Sequence, residues 1–387
     1  MDQLGTTPPP LAGVLVADFS RVLAGPLATM TLGDLGARVI KVESPSGDDT
    51  RSWGPPFSAT GSTYFEGVNR NKESMTLDLA DAADLELART LVARADVVIE
   101  NFRPGGMAAF GLGYEEVSAA NPRVVYVSIS GFGSAAGSGM LGYDFMVQAM
   151  GGLMHITGED GGDPQKVGVA VVDVLTAKDA VAGILAALYA RDRSGRGARI
   201  EVNLLSSLQG ALANQAQAVL GASAEPRRLG NVHPSISPYE ALRCSDGLLA
   251  VACGNDGQFA RLTACLGVPD LATDPRFASN PERVRHRAEL VPELERALAG
   301  RTSAEWEGVL TAAKVPAGRV RTIAEGLELA ERLGLSPTVG VVDAQGAETG
   351  RQVRSPLQWE PPFEAPRSAP PALGQHDRAL REWLEGL

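Results

Sequence analysis

Between Val167 and Val174 the chain reads VGVAVVDV: seven residues of Val, Gly or Ala, and one carboxylate, Asp173. An ionised carboxylate is costly in apolar surroundings unless it is paired or hydrogen-bonded. Asp is a favoured helix N-cap, and Ala180/Val181, Ile184/Leu185 and Leu188 recur at helical spacing just beyond it. Residue statistics therefore favour a capping role. The position also permits chemistry: helix N–H groups would keep the carboxylate ionised, and an ionised carboxylate in a dry pocket is a usable nucleophile. Capping and catalysis are compatible, and the residues alone leave both open.

Other stretches bear on binding. ENFRPGGM (Glu100–Met107) follows a strand-like run, and a loop at the carboxyl end of a parallel strand is where open α/β sheets bind ligands. Pro and Gly there also suit an ordinary connection. SRVLAGP follows the first strand-like run, GVLVADF, and lacks the G-x-G-x-x-G fingerprint. Glu43, at the end of the next strand, is therefore not read as a ribose ligand, although the turn can still offer backbone N–H groups to an anion. NRNKES (Asn69–Ser74) reads as a solvated basic turn, and His155 and His376 as structural or exposed. No His, Cys and carboxylate set has metal-ligand spacing, and no G-x-S-x-G elbow or P-loop lysine occurs, so no metal is expected. Cys244, Cys253 and Cys265 suggest neither a metal site nor a disulfide framework; a reducing cytoplasm fits them.

These residues need a scaffold. GVLVADF, GPLATMTLGDLGA and RVIKVE read as strand, helix and strand, a βαβ unit. The alternation continues through MTLDL, DAADLELARTLVARA, DVVIENF and RVVYVSISGFG, which predicts a doubly wound parallel sheet. After Ala222 the character changes to short strands and helices, with Asp246-Gly247 as a hairpin turn. The expected division is a disordered lead-in over 1–10, a large α/β domain over 11–222 and 324–387, and a small α+β domain over 223–323. The Pro-rich WEPPFEAPRSAPPALGQH cannot be a central strand and is expected to run extended over a surface before a final helix. A formal charge of −11 argues against nucleic acid or an anionic membrane as main partner, and no apolar run is long enough to span a bilayer. An anionic ligand would then need a locally basic patch.

The order of motifs carries a resemblance. RVLAGPLATMTLGDLGARVIKVE, GDDTRSWGPPF, VIENFRPG, GYDFMVQAMGGLMHITG, VGVAVVDVLTA, GNVHPSISPYEAL and LGQH follow one another as in the class III CoA-transferases. The chain resembles that family from Leu11 to the C-terminal helix, and within it the succinyl-CoA–glutarate branch. The resemblance implies two chains interlocked like links, an active site between domains and across subunits, and CoA thioesters and free carboxylic acids as substrates, with no further cofactor. Asp173 falls on the family's catalytic aspartate, which attacks the acyl-CoA thioester to give an acyl-aspartyl anhydride and then an aspartyl-CoA thioester. Water must be excluded from both intermediates.

Other positions carry over singly. Leu23 and Ala24 match a CoA-contacting turn, Leu77 an adenine-side position, Asn101 and Phe102 a contact along the pantetheine arm, and Arg103 is placed for the phosphates. Ala109 replaces a basic residue common in relatives, for which Arg21, Arg70 and Lys72 are expected to compensate. Trp53, Tyr64 and Tyr143 match the acyl pocket. Gly230 and His233 match a mobile loop over the nucleophile. Arg51, then His233, are candidates for the far carboxylate of a dicarboxylic acid. Ala177 stands where the family usually has glycine. Two alternatives share the implied fold: an α-methylacyl-CoA racemase, which would need a His at Tyr143 and a Glu near Asp256, and a non-catalytic CoA-binding protein.

Overall fold

The computed structural model describes residues 7–386. Six strands form the central sheet: β1 (Leu15–Asp18), β2 (Arg38–Glu43), β3 (Lys72–Thr76), β4 (Val97–Glu100), β5 (Val125–Ser130) and β6 (Ala198–Asn203). They lie in the order β3-β2-β1-β4-β5-β6, and every neighbouring pair is parallel. Successive strand residues point to opposite faces. Val16, Val97, Ile99, Val125 and Val127 accordingly enter one core with Ala28, Leu32, Ala180 and Ile184, from the helices Ala24–Asp34 and Val171–Ser194. Ala17, Val98 and Tyr126 enter a second core with Leu91 of the helix Ala82–Arg94 and Leu380 and Leu384 of the helix Asp377–Glu385. A sheet buried on both sides reads as continuous apolar runs, which is why these strands were visible in the sequence. The strand order reverses between β1 and β4, and ligands of open α/β sheets bind outside the carboxyl ends at such a point.

The chain divides into two compact units. The first contains the six-stranded sheet and runs through Leu153, then over Lys166–Ala224 and from Ser336 onward. The second comprises Met154–Gln165 and Glu225–Leu335. It holds an antiparallel sheet of Tyr239–Arg243, Leu248–Ala252 and Ala317–Arg319. Leu242, Leu249, Val251, Phe259, Leu290, Leu294 and Trp306 form its core. Asp246-Gly247 lies in the turn joining its first two strands.

Two sequence expectations change. NRNKES is no solvated turn: Asn69, Arg70, Asn71 and Lys72 are buried, and β3 starts at Lys72. Their polar groups are matched inside the fold. Arg70 binds Asp34 through Nε at 2.8 Å and Nη2 at 2.5 Å, and Lys72 Nζ lies 3.1 Å from Asp18 Oδ2. Of the lead-in expected to be disordered, residues 1–6 lie outside the described residues. Thr7 bridges to Phe363 and Ala12 N–H donates to the Pro9 carbonyl, so residues 7–10 are held in place. The C-terminal return runs along the same region: Asn71 N–H donates to the Ser368 carbonyl, and His376 Nδ1 accepts the Ser74 N–H at 3.1 Å.

Candidate active site

The site grows from the ends of β1 and β4. Asp18 closes β1, and its Oδ1 accepts the Ser20 N–H at 2.9 Å and the Ser20 hydroxyl at 2.5 Å. Burial pushes the Asp18 carboxyl up, but Lys72 and Lys41, with the Ser20 and Thr29 hydroxyls, outweigh that and hold it below its ordinary value. The chain then turns through Val22, whose φ of +72° lies in the left-handed region that β-branched residues rarely adopt. Asp48 fixes this turn by accepting the Val22 N–H at 3.2 and 3.3 Å. Lys41 Nζ holds Asp48 at 2.9 Å and also donates to the Ser20 carbonyl at 2.9 Å. Gly25 is required here because a Cβ would stand 2.2 Å from Ser20 Cβ. From β4, Glu100 accepts the Phe102 N–H at 2.8 Å and shapes the 101–104 loop.

Between these turns lies a cavity of about 200 Å³. It brings together Leu23, Ala24, Asn101, Phe102, Arg103, Tyr143 and Asp173, and Arg21 joins them on the wall. Residues 131–142 form a loop pinched at its neck: a Cβ on Gly131 would lie 2.4 Å from the Gly142 Cα, and one on Gly142 2.3 Å from the Gly131 Cα. Tyr143 emerges directly from that neck.

Asp173 is not an N-cap. The helix Val171–Ser194 starts two residues before it, and Ala170 at the cap position has no side chain able to accept. Asp144, the first residue of the helix Asp144–Met150, supplies the cap from a neighbouring element. Its Oδ1 accepts the Val172 N–H at 2.8 Å and the Asp173 N–H at 3.3 Å. Its Oδ2 accepts from Gln148 Nε2 at 2.6 Å, and Gln148 Oε1 accepts the Val167 N–H at 2.9 Å. The Asp173 carboxyl is left half-buried, without the stabilising amides expected for it. Burial, reinforced by the Asp144 charge, raises its pKa from 3.8 to about 7. Tyr64 feels the same field: burial first, then Asp173 and Asp144, push its phenol up to about 12. Trp53 packs edge-on to Tyr64 with ring centroids 5.1 Å apart.

Several expected ligand groups are committed elsewhere. Arg51 grips Glu43 with both prongs, at 2.7 and 2.8 Å, stacks over Phe65, and lines a larger cavity of about 960 Å³. Arg70 and Lys72 are consumed by Asp34 and Asp18, which leaves Arg21 and Arg103 as the cations of the smaller cavity. Leu77 is buried in the sheet core, with its N–H on the Glu43 carbonyl, so its side chain has no face for a base. Ala177 is also buried in a core, rather than lining the cavity. Gly230 and His233 belong to the second unit. There Gly230 takes φ +59°, and His233 Nδ1 accepts the Ser235 N–H at 3.0 Å. Asp256 receives Arg283 Nη2 at 2.7 Å. Sequence reading missed Asp144, Gln148, Lys41 and Asp48. Asp and Gln four residues apart in YDFMVQ was a signal for the first two.

Comparison with known proteins settles what this scaffold is. The family model described as CoA-transferase family III matches residues 11–377. This chain belongs to CoA-transferase family III. The enzyme is 42% identical over 380 residues to the mouse (Mus musculus) succinyl-CoA:glutarate CoA-transferase, covering 96% of this chain and 85% of that protein. It is 41% identical to a succinate–glutarate CoA-transferase of Agrobacterium fabrum, over 100% of this chain and 98% of the relative. A crystal structure of a CAIB/BAIF family protein from Brucella suis superposes with a TM-score of 0.88 at 42% identity, covering 98% of this chain and 100% of the other. The parallel-sheet architecture of this transferase is therefore that of its family. Among the described residues no helix is long and apolar enough to cross a membrane, and no group of three or more His, Cys, Asp or Glu could hold a metal ion.

Proposed function

We propose that the enzyme moves CoA from succinyl-CoA to a short dicarboxylic acid, glutarate being the first candidate, with Asp173 as the covalent carrier. The observation that carries this reading is a poorly hydrated carboxyl at the wall of a cavity built on the β1–β4 switch point. The names of the relatives above support the substrate pair. In the reaction, an Asp173 oxygen attacks the thioester carbonyl, the C–S bond breaks, and CoA leaves as thiolate. The thiolate then attacks the aspartyl carbonyl, releasing succinate and leaving an aspartyl-CoA thioester. The acceptor carboxylate attacks that thioester, and the thiolate takes the new acyl group from the resulting anhydride. Thioester and anhydride are close in energy, so covalent catalysis divides the exchange into modest steps.

In this reading the large unit binds CoA, with Leu23, Ala24, Asn101 and Phe102 along the pantetheine arm and Arg21 and Arg103 toward the phosphates. These two cations answer the need for local positive charge on an acidic protein. The far carboxylate of the acid is not assigned to Arg51, whose fork is already filled by Glu43. Tyr143, on the cavity wall, is the candidate for that role, while Trp53 and Tyr64 bound the acyl chain. An interlocked homodimer is part of the same reading; large apolar side chains left exposed, such as Leu220 and Tyr189, support a second chain over them. Tyr143 in place of a histidine argues against racemisation, which needs an acid/base pair.

The test incubates the protein with succinyl-CoA and a panel of free acids and detects new CoA thioesters by mass. Glutaryl-CoA should form, and Asp173→Ala should abolish exchange while CoA binding survives. Full turnover in Asp173→Ala, or solvent deuterium entering an α-position without exchange, would overturn the proposal.

A further inference from the structure

We propose that Asp144 is a positioning residue for the transfer reaction: it caps the nucleophile's helix from outside and sets a fixed negative charge beside Asp173. The inference rests on the reading of Asp173 as covalent carrier. Asp144 Oδ1 holds the Val172 and Asp173 N–H groups, so the backbone of the nucleophile itself hangs on the neighbouring carboxylate. Fully buried Gln148 locks Asp144 through Nε2 and is locked in turn by the Val167 N–H. The chain 144–148–167 thus clamps both ends of the apolar segment that presents Asp173.

The clamp has a chemical consequence. Two carboxylates held close repel when both are charged, and the repulsion vanishes when one becomes neutral. Asp173 is neutral in both covalent states. In the first its oxygen forms the new C–O bond to the acyl carbon as the C–S bond breaks, and the electron pair leaves on the thiolate. In the second the thiolate sulfur bonds to the aspartyl carbon, and the charge departs with the released acid. Asp144 therefore disfavours the free carboxylate without penalising either acylated form, and shifts the loading equilibrium toward the covalent enzyme. The raised pKa of Asp173 is the same repulsion, added to burial and read out in protons. The other charged or titratable groups on the cavity wall are Arg21, Arg103 and Tyr143, and Tyr64 lies within the field of Asp173 and Asp144.

The test compares the full-length enzyme with Asp144→Asn, which keeps an acceptor for the Val172 N–H but drops the charge, and with Asp144→Glu, which keeps the charge. Succinyl-CoA is added across a pH series, position 173 is trapped with hydroxylamine, and its loading is quantified by mass. The initial rate of loading at low succinyl-CoA, which follows the free carboxylate, should show a midpoint near 7 in wild type. Asp144→Asn should move that midpoint down by roughly one unit or more and cut equilibrium loading roughly tenfold. Asp144→Glu should recover part of both. A folded Asp144→Asn with wild-type midpoint and loading overturns the proposal, as does a wild-type midpoint in the ordinary carboxylate range, which needs no variant to fold. Absence of any label at 173 in wild type would instead sink the carrier reading itself.

Discussion

Asn101 holds the backbone of Arg21 in both directions: its Oδ1 accepts the Arg21 N–H at 2.9 Å, and its Nδ2 donates to the Arg21 carbonyl at 2.7 Å. One side-chain amide thus ties the turn after β1 to the loop after β4, across the point where the strand order reverses. Neither partner could be inferred from the other in sequence, because eighty residues separate them.

Asn101→Ala removes both bonds, each contributing about 1 kcal/mol. The two turns should loosen around the cavity, so KM for succinyl-CoA is expected to rise roughly tenfold or more with a smaller change in kcat. Steady-state kinetics checks this. Unaltered KM in a folded variant would mean the tie does not organise the binding turn.

Lys72 and Asp18 form a buried ion pair beneath the same turn. Truncating one partner strands the other, so Lys72→Met should lower stability by about 3–5 kcal/mol in urea unfolding. Combining it with Asp18→Asn should return a substantial part of that loss, because no unpaired charge remains. If the double variant is no better than the single one, charge pairing is not the main contribution of Lys72.

Asp173 gives a pH signature. Its carboxyl titrates near 7 in the folded chain, against 3.8 when unperturbed. Between those values the folded state keeps a proton the unfolded state has lost, so stability falls as pH rises, and the penalty is complete above the folded value. Asp173→Asn removes the penalty. It should melt higher than wild type at about pH 8, by the equivalent of up to about 4 kcal/mol, with the difference fading below about pH 4. Parallel melting curves at both pH values would contradict the raised pKa.

Legibility in the sequence followed physical range. The parallel strands were readable because burial on both faces leaves unbroken apolar runs such as VVIE and VVYV. The glycine-poor turn at Ser20–Pro26 and the ENFRP loop were placed at strand ends by the same alternation, and the cavity gathers residues from both. Asp173 drew notice because its neighbours were apolar. Its capping partner did not: Asp144 reaches the helix through space, and helical spacing cannot reveal an acceptor on another element. Arg70 and Lys72 were misread because a basic run looks solvated until the acids that neutralise it, Asp34 and Asp18, fold against it. Arg51 is engaged in the same way, its partner Glu43 lying on β2.

The glycine pinch at residues 131 and 142 decouples what lies inside that loop from what lies outside it. A drawstring closed at its mouth can hold more or less without moving the hem. Residues could be added or removed between the two glycines while Tyr143 and the helix Val171–Ser194 keep their places. Loops of different length, and so cavity walls of different shape, can therefore be carried on an unchanged frame of strands and helices.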